Sequence, residues 1–492
     1  MSTLVEIASG KVEGTTSRGV LRYKGIPYAA PPVGDLRFTA PHPALPWTGV
    51  LDATKRPTIA PQPMGAMEAM AGAIESPPQS EADCLSLNVW TESLDGARPV
   101  MVWIHGGAFT SGSGATPWYD GVNLAKRGVV VVTINYRLGA LGFLPLEAIG
   151  GERFAGSANA GVLDQALALQ WVHDNIAAFG GDPAQVTIFG ESAGGMSVST
   201  QLGLPASAGL FRAAIPQSGG ASHVHTAEQG EEVVRLLLDH LGLGAGDVKK
   251  LLDLPTEALV DATAALSGRT RIEAGLPFAP TVDGTTLPVA PLEAVAAGSA
   301  ADITLATGWN AEEMRLFGAM DPRLSGADDA RLRDIAARLL PDGTDVDAAV
   351  SAYREGLPDD VTPGQVLEAL MTDSVFRIPA LRLLEAQAAH AAVRAYEFRY
   401  RSPGFGAAHA VEIPFVFDNL DAPGAAFFAG EATEPMRALS TAMADAWTSV
   451  ARDRDPGAAW PTYDVDRRAT RIWDLEPSVA EDPGRATRLL WG

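Results

Sequence analysis

Ser192 sits in Gly190-Glu191-Ser192-Ala193-Gly194. A serine hydroxyl is a weak nucleophile at neutral pH and needs both exposure and a positioned base. Glycines two places to either side permit a sharp strand-to-helix turn that lifts the hydroxyl clear of the backbone. The flanks fit that requirement: 186–189 reads as a short strand and 193 to about 204 as a helix. The start of that helix also brings backbone N–H groups beside the serine. A second stretch, His105-Gly106-Gly107-Ala108-Phe109, directly follows the strand-like Val100-Met101-Val102-Trp103-Ile104. It matches the Gly-rich loops whose N–H groups stabilise an oxyanion. The pair predicts acyl transfer through Ser192, with the N–H groups of Gly107, Ala108 and Ala193 as oxyanion donors. Gly106 and Glu191 are expected to support them from alongside.

These pieces need a scaffold. The first residues alternate in strand fashion (Leu4, Ile7, Val12, Val20, Tyr23) and are broken by glycines, which suggests short antiparallel strands. A Pro-rich irregular stretch follows from about 27 to 78. The runs 100–104 and 129–134 read as buried strands, and further core strands are expected at 186–189, 213–216, 303–306, 394–400 and 471–475. A helix is expected from about 161 to 179, with Ala166, Leu169, Val172 and Ile176 on one face. This alternation argues for an α/β fold with a central, mostly parallel twisted sheet and helices on both faces. Two Ala- and Leu-rich helical regions, about 226–270 and 323–395, are candidate insertions capping a site within a single domain of 1–492.

Composition narrows the partners. With 47% apolar residues the 492-residue chain can bury a large core. The net charge of −22 opposes nucleic-acid binding and adsorption to anionic membranes. The longest apolar run, near 129–132, is too short to span a bilayer. Cys84 is the lone cysteine, so no intrachain disulfide or Cys-based metal site can form. No signal-peptide pattern opens the sequence, and a cytoplasmic protein, monomer or weak dimer, is the expectation. Neither cofactor nor metal is indicated: His223 and His225 lack further ligands, and the Gly-rich 242–246 follows a helix rather than a strand.

Longer matches extend the pattern. They include Gly25-Ile26-Pro27-Tyr28-Ala29, Asp83-Cys84-Leu85-Ser86-Leu87-Asn88 and Asn135-Tyr136-Arg137-Leu138-Gly139. They also include Trp171-Val172-His173-Asp174-Asn175 through Gly180-Gly181-Asp182-Pro183 into the serine turn. The chain thereby resembles, over nearly its whole length, the type-B carboxylesterases of the α/β-hydrolase superfamily. That family also holds cholinesterases and bacterial p-nitrobenzyl esterases.

The resemblance implies a Ser–Glu–His triad, with the acid in a Gly-x-x-x-Asp-Glu-Gly pattern. Here the stretch is Gly308-Trp309-Asn310-Ala311-Glu312-Glu313-Met314, which places the acid on Glu313. Glu312 replaces the usual Asp and Met314 the usual Gly, so Glu312 stays open as an alternative. In this fold the order is Ser, acid, His, and only His390 and His409 follow Glu313. His390 lies in an Ala-rich helical run. His409 lies in the Gly-rich loop 404–409, before Glu412-Ile413-Pro414-Phe415, which is similar to the family's histidine motif. His409 is the expected base. Gln217-Ser218-Gly219 resembles a stretch whose serine bonds near the acid, so Ser218 is expected to hold Glu313. Cys84 matches a disulfide position of secreted relatives, whose partner position here is Ala60.

The implied activity is hydrolysis of carboxylic esters of small, largely apolar acids and alcohols. Carbamates, amides or aryl esters would use the same residues. A non-catalytic binding protein of the same fold is the reading from another class, and the presence of Ser192, the oxyanion loop and His409 argues against it. Phe109, Trp118, Trp309 and Phe317 are either pocket or core.

Overall fold

The computed structural model describes residues 3–64, 77–269 and 275–492. Part of the Pro-rich stretch and the end of the first helical region therefore lie outside the described residues. In chain order the strands are β1 Leu4–Ile7, β2 Gly10–Glu13, β3 Thr15–Ser17, β4 Val20–Pro27, β5 Val50–Asp52, β6 Ser86–Thr91 and β7 Arg98–Ile104. They continue with β8 Val130–Ile134, β9 Gly181–Glu191, β10 Ala213–Gln217, β11 Thr304–Asn310, β12 Val393–Phe398, β13 Ala469–Trp473 and β14 Ser478–Glu481.

Among the described residues, eleven of these form one sheet in the order β14-β13-β12-β11-β10-β9-β7-β8-β6-β4-β3. The run from β13 to β8 is parallel, and β14, β6, β4 and β3 pair antiparallel at the margins. The remaining three, β1, β2 and β5, make a small separate sheet. The β-branched runs explain the centre. Val100, Val102 and Ile104 enter one apolar cluster while Met101 and Trp103 enter a second. Alternate side chains of one strand thus serve two cores, as a sheet covered on both faces requires.

The helices Ala160–Asn175 and Ala193–Gln201 contribute Val162, Leu169, Met196 and Val198 to the first cluster. The second holds Met443, Trp447 and Val450 of the 20-residue helix Glu434–Asp453. The two helical regions contain the helices Ala227–His240 and Thr256–Arg269, then Asp329–Leu339, Val346–Glu355, Pro363–Thr372 and Ile378–Ala388. No helix among the described residues is long and apolar enough to cross a membrane.

Several strands run longer than their apolar runs suggest, two of them by three residues or more at one end. The strand at 186–189 extends over Gly181–Glu191, and that at 303–306 extends over Thr304–Asn310. Both extensions bring site residues to the carboxyl edge of the sheet, where α/β folds place their ligands.

Candidate active site

β9 ends at Glu191, and the next residue turns the chain. Ser192 has φ 58° and ψ −127°, a strained combination for a side chain with a Cβ, and its N–H donates to the Gln217 carbonyl at 3.0 Å. The flanking glycines are sterically required. A Cβ on Gly190 would stand 2.5 Å, and one on Gly194 2.1 Å, from the Ile104 carbonyl oxygen. The turn therefore packs directly on the end of β7.

The loop after β7 is also strained: Gly107, Ala108 and Phe109 all have positive φ (110°, 54° and 58°). Neither the Gly107 nor the Ala108 N–H donates to a group among the described residues. Ala193 opens its helix, so its N–H has no helical carbonyl one turn back. Gly107 and Ala108 border a cavity of about 780 Å³ that Ser192 and His409 also line, and Ala193 directly follows Ser192. Motif residues hold this loop from behind. The Tyr136 hydroxyl donates to the His105 carbonyl at 2.9 Å, and the Tyr136 ring stacks on the His105 imidazole with centroids 4.4 Å apart. Burial pushes His105 down to about 4, which keeps that imidazole neutral. Arg137 joins the buried carboxylate of Asp164 on the helix Ala160–Asn175.

His409 sits in the loop after β12. Its Nδ1 lies 2.6 Å from Glu313 Oε2, and its backbone N–H donates to the Glu313 carbonyl. Its Nε2 lies 3.1 Å from Glu191 Oε1. Histidine and both carboxylates are buried. Glu412 is buried close by and receives N–H donation from the side chains of Gln217 and Asn310. Burial alone would lower the histidine, but the charges of Glu191 and Glu313 outweigh it and His409 is pushed up to about 9. Burial raises Glu191 well above the usual carboxylate range, and burial with the Glu313 charge takes Glu412 to about 7.

The adjacent acids diverge. Glu312 accepts from Arg315, Arg401 and the Ala407 N–H, on the outer side of the histidine loop. Glu313 points inward to His409. Met314 replaces the family's glycine without strain because it starts the helix Met314–Met320, and its side chain borders the cavity.

The expectation for Ser218 is corrected. Its buried hydroxyl has no hydrogen-bond partner among the described residues. The Asn310 N–H instead donates to Glu313 Oε1 at 2.7 Å. The Asn310 side chain also ties the Ala408 carbonyl at 2.7 Å to the same corner. That clamp went unread in the sequence because Ala408 and Glu412, which the Asn310 side chain bonds, lie about a hundred positions away. The Gly-x-x-x-Asp-Glu-Gly match, which contains Asn310, was the available signal.

Of the four aromatics left open, Trp118 and Phe317 border the cavity, whereas Phe109 and Trp309 are core. The rings of Phe317 and Phe376 lie 5.1 and 4.8 Å from the His409 ring. His390 is outside the site and faces the Ala296 carbonyl. His223 and His225 face the Gly220 and Leu276 carbonyls. The Cys84 thiol is buried, and burial raises it further out of the reactive range.

The family model described as the carboxylesterase family matches residues 1–486. The para-nitrobenzyl esterase of Bacillus subtilis (strain 168) is 41% identical over 98% of this chain and 96% of its own. The phenmedipham hydrolase of Pseudarthrobacter oxydans is 35% identical over 98% and 97%. Among solved structures, the carboxylesterase EST55 of Geobacillus stearothermophilus superposes with a TM-score of 0.91 at 40% identity, covering all of both chains.

Proposed function

The chain belongs to the carboxylesterase family and hydrolyses carboxylic esters, and on that premise we propose that Ser192 is the nucleophile, His409 the general base and Glu313 the acid that orients it. The Ser192 oxygen attacks the ester carbonyl while His409 Nε2 takes its proton. The N–H groups of Gly107, Ala108 and Ala193 stabilise the oxyanion. His409 then gives the proton to the departing alcohol, leaving the acyl group on Ser192. Water, deprotonated by the same nitrogen, attacks the acyl carbon, and His409 returns that proton to the departing Ser192 oxygen as the acid is released. Glu313 stabilises the imidazolium throughout.

The observation that carries this reading is the buried 2.6 Å contact between His409 and Glu313 at the wall of the cavity that Ser192 borders. The preferred esters have small, largely apolar acid and alcohol parts. Met196, Met371, Phe317 and Phe376 along the wall support that preference. The two helical regions act as a cap on a single domain: Ala264 and Ser267 of the first, and Leu339, Met371 and Phe376 of the second, border the cavity. A cytoplasmic setting is supported by the lone, buried Cys84. Monomer or weak dimer is the working oligomeric state.

Ser192→Ala should lower kcat toward p-nitrophenyl butyrate by several orders of magnitude while the fold is kept. Wild-type turnover in that variant would remove Ser192 from the mechanism.

A further inference from the structure

The helical run from Pro363 to Ala388 is not regular. Between the α-helices Pro363–Thr372 and Ile378–Ala388 lies a π turn, Asp373–Arg377. Such turns are rare and need something to hold them. The turn changes which side chains face the site. In a regular α-helix, positions five apart point about 140° away from each other. Met371 and Phe376 are five apart, yet both border the cavity.

A buried cluster behind the turn holds it. The Arg377 guanidinium donates to both oxygens of Asp373, at 2.6 Å each, so the ion pair spans the π turn. Arg377 also donates to the carbonyls of Pro483 and Gly484 and to the Thr487 hydroxyl. The Tyr353 hydroxyl donates to Asp373 at 2.7 Å and accepts from the Trp491 indole N–H at 2.8 Å. The helix Val346–Glu355 and the C-terminal segment 483–491 are thus keyed to one turn. Next to Arg377, the Phe376 ring stands 4.8 Å from the His409 ring and 6.2 Å from Phe317.

We propose that Asp373, Arg377, Tyr353 and Trp491 are positioning residues through which the C-terminal segment fixes Phe376 against His409 and so limits the bulk of the ester group admitted. The inference rests on the reading of Ser192 and His409 given above. Removing one hydrogen bond of the cluster lets the turn relax toward regular helix. Phe376 then swings from the cavity and bulky groups enter. A cluster that served the fold alone would change stability without changing selectivity.

The test compares kcat/KM for p-nitrophenyl trimethylacetate and p-nitrophenyl acetate in the full-length chain, with Tm measured alongside. Tyr353→Phe and Trp491→Phe each remove one polar atom group and keep an aromatic ring. Thr487→Val is the mildest change should either fail to fold. Each variant should raise the bulky-to-small ratio by about 5-fold or more. Phe376→Ala should raise it at least as much, and adding Tyr353→Phe to it should raise it no further. Ratios within about 2-fold of wild type in the cluster variants, or in Phe376→Ala, would overturn the proposal. Failure of the wild-type enzyme on both esters would instead count against the reading of the site.

Discussion

Nε2 of His409 lies 3.1 Å from Oε1 of Glu191, the residue immediately before Ser192. Neither atom has a hydrogen-bond partner among the described residues, so the pair interacts through charge at short range. The carboxylates of Glu191 and Glu313 hold His409 up to about 9, against an ordinary 6.5.

This relationship sets the pH dependence. The base must be neutral to take the serine proton, so kcat/KM should rise with pH, its acid limb displaced above 6.5 toward about 9. Glu191→Gln removes the group that contributes most to that upward shift and should move the limb down toward 6.5. A pH profile of both proteins checks this, and an unmoved limb would count against the electrostatic role of Glu191. The same shift contributes stability that is fully present below about 6.5 and is lost as pH rises through about 9.

The adjacent glutamates should separate cleanly. Glu313→Gln should lower kcat by about 10³–10⁴ with a normal fold, because the imidazole loses its orienting charge. Glu312→Gln removes partly exposed pairings with Arg315 and Arg401 and should cost less than about 1 kcal/mol of stability, with kcat within about 10-fold. Kinetics and thermal melts of the two variants decide, and a reversed order would move the acid to Glu312.

How far the sequence reaches follows from the range of each interaction. The serine turn and the oxyanion loop were legible because each is local: strand, small residues, helix or loop, in one short window. The central strands were legible from β-branched runs, although charged or glycine-rich ends hid their full length. Glu313 came only through resemblance, since two neighbouring glutamates differ in direction, not in type. Ser218 was misjudged because its hydroxyl and Glu313 are related only through the folded corner, where the Asn310 N–H fills the place. The π turn was beyond reach, because its partners outside the turn sit at Tyr353 and at 483–487. The helix Glu434–Asp453 was not anticipated, yet Met436, Leu439, Met443, Trp447 and Val450 recur at helical spacing behind Pro435.

The oxyanion loop should be intolerant of a methyl group at Gly107. Its φ is 110°, and a Cβ there would stand 2.1 Å from the Ser111 carbonyl oxygen. Gly107→Ala should shift the donors and lower kcat by about 10²–10³. Gly209→Ala is the control: it also has positive φ, but nothing lies within 4 Å of its Cβ position. It should cost stability and leave kcat unchanged. Equal kcat in both variants would detach the Gly107 loop from the chemistry.

The central claim is that acyl groups pass through Ser192. The most direct measurement is labelling with a fluorophosphonate, followed by intact mass and peptide mapping alongside residual esterase activity. The account predicts a single adduct on Ser192, activity lost in proportion to its occupancy, and no adduct in Ser192→Ala. An adduct mapped to another residue, or full activity in the labelled protein, would contradict it.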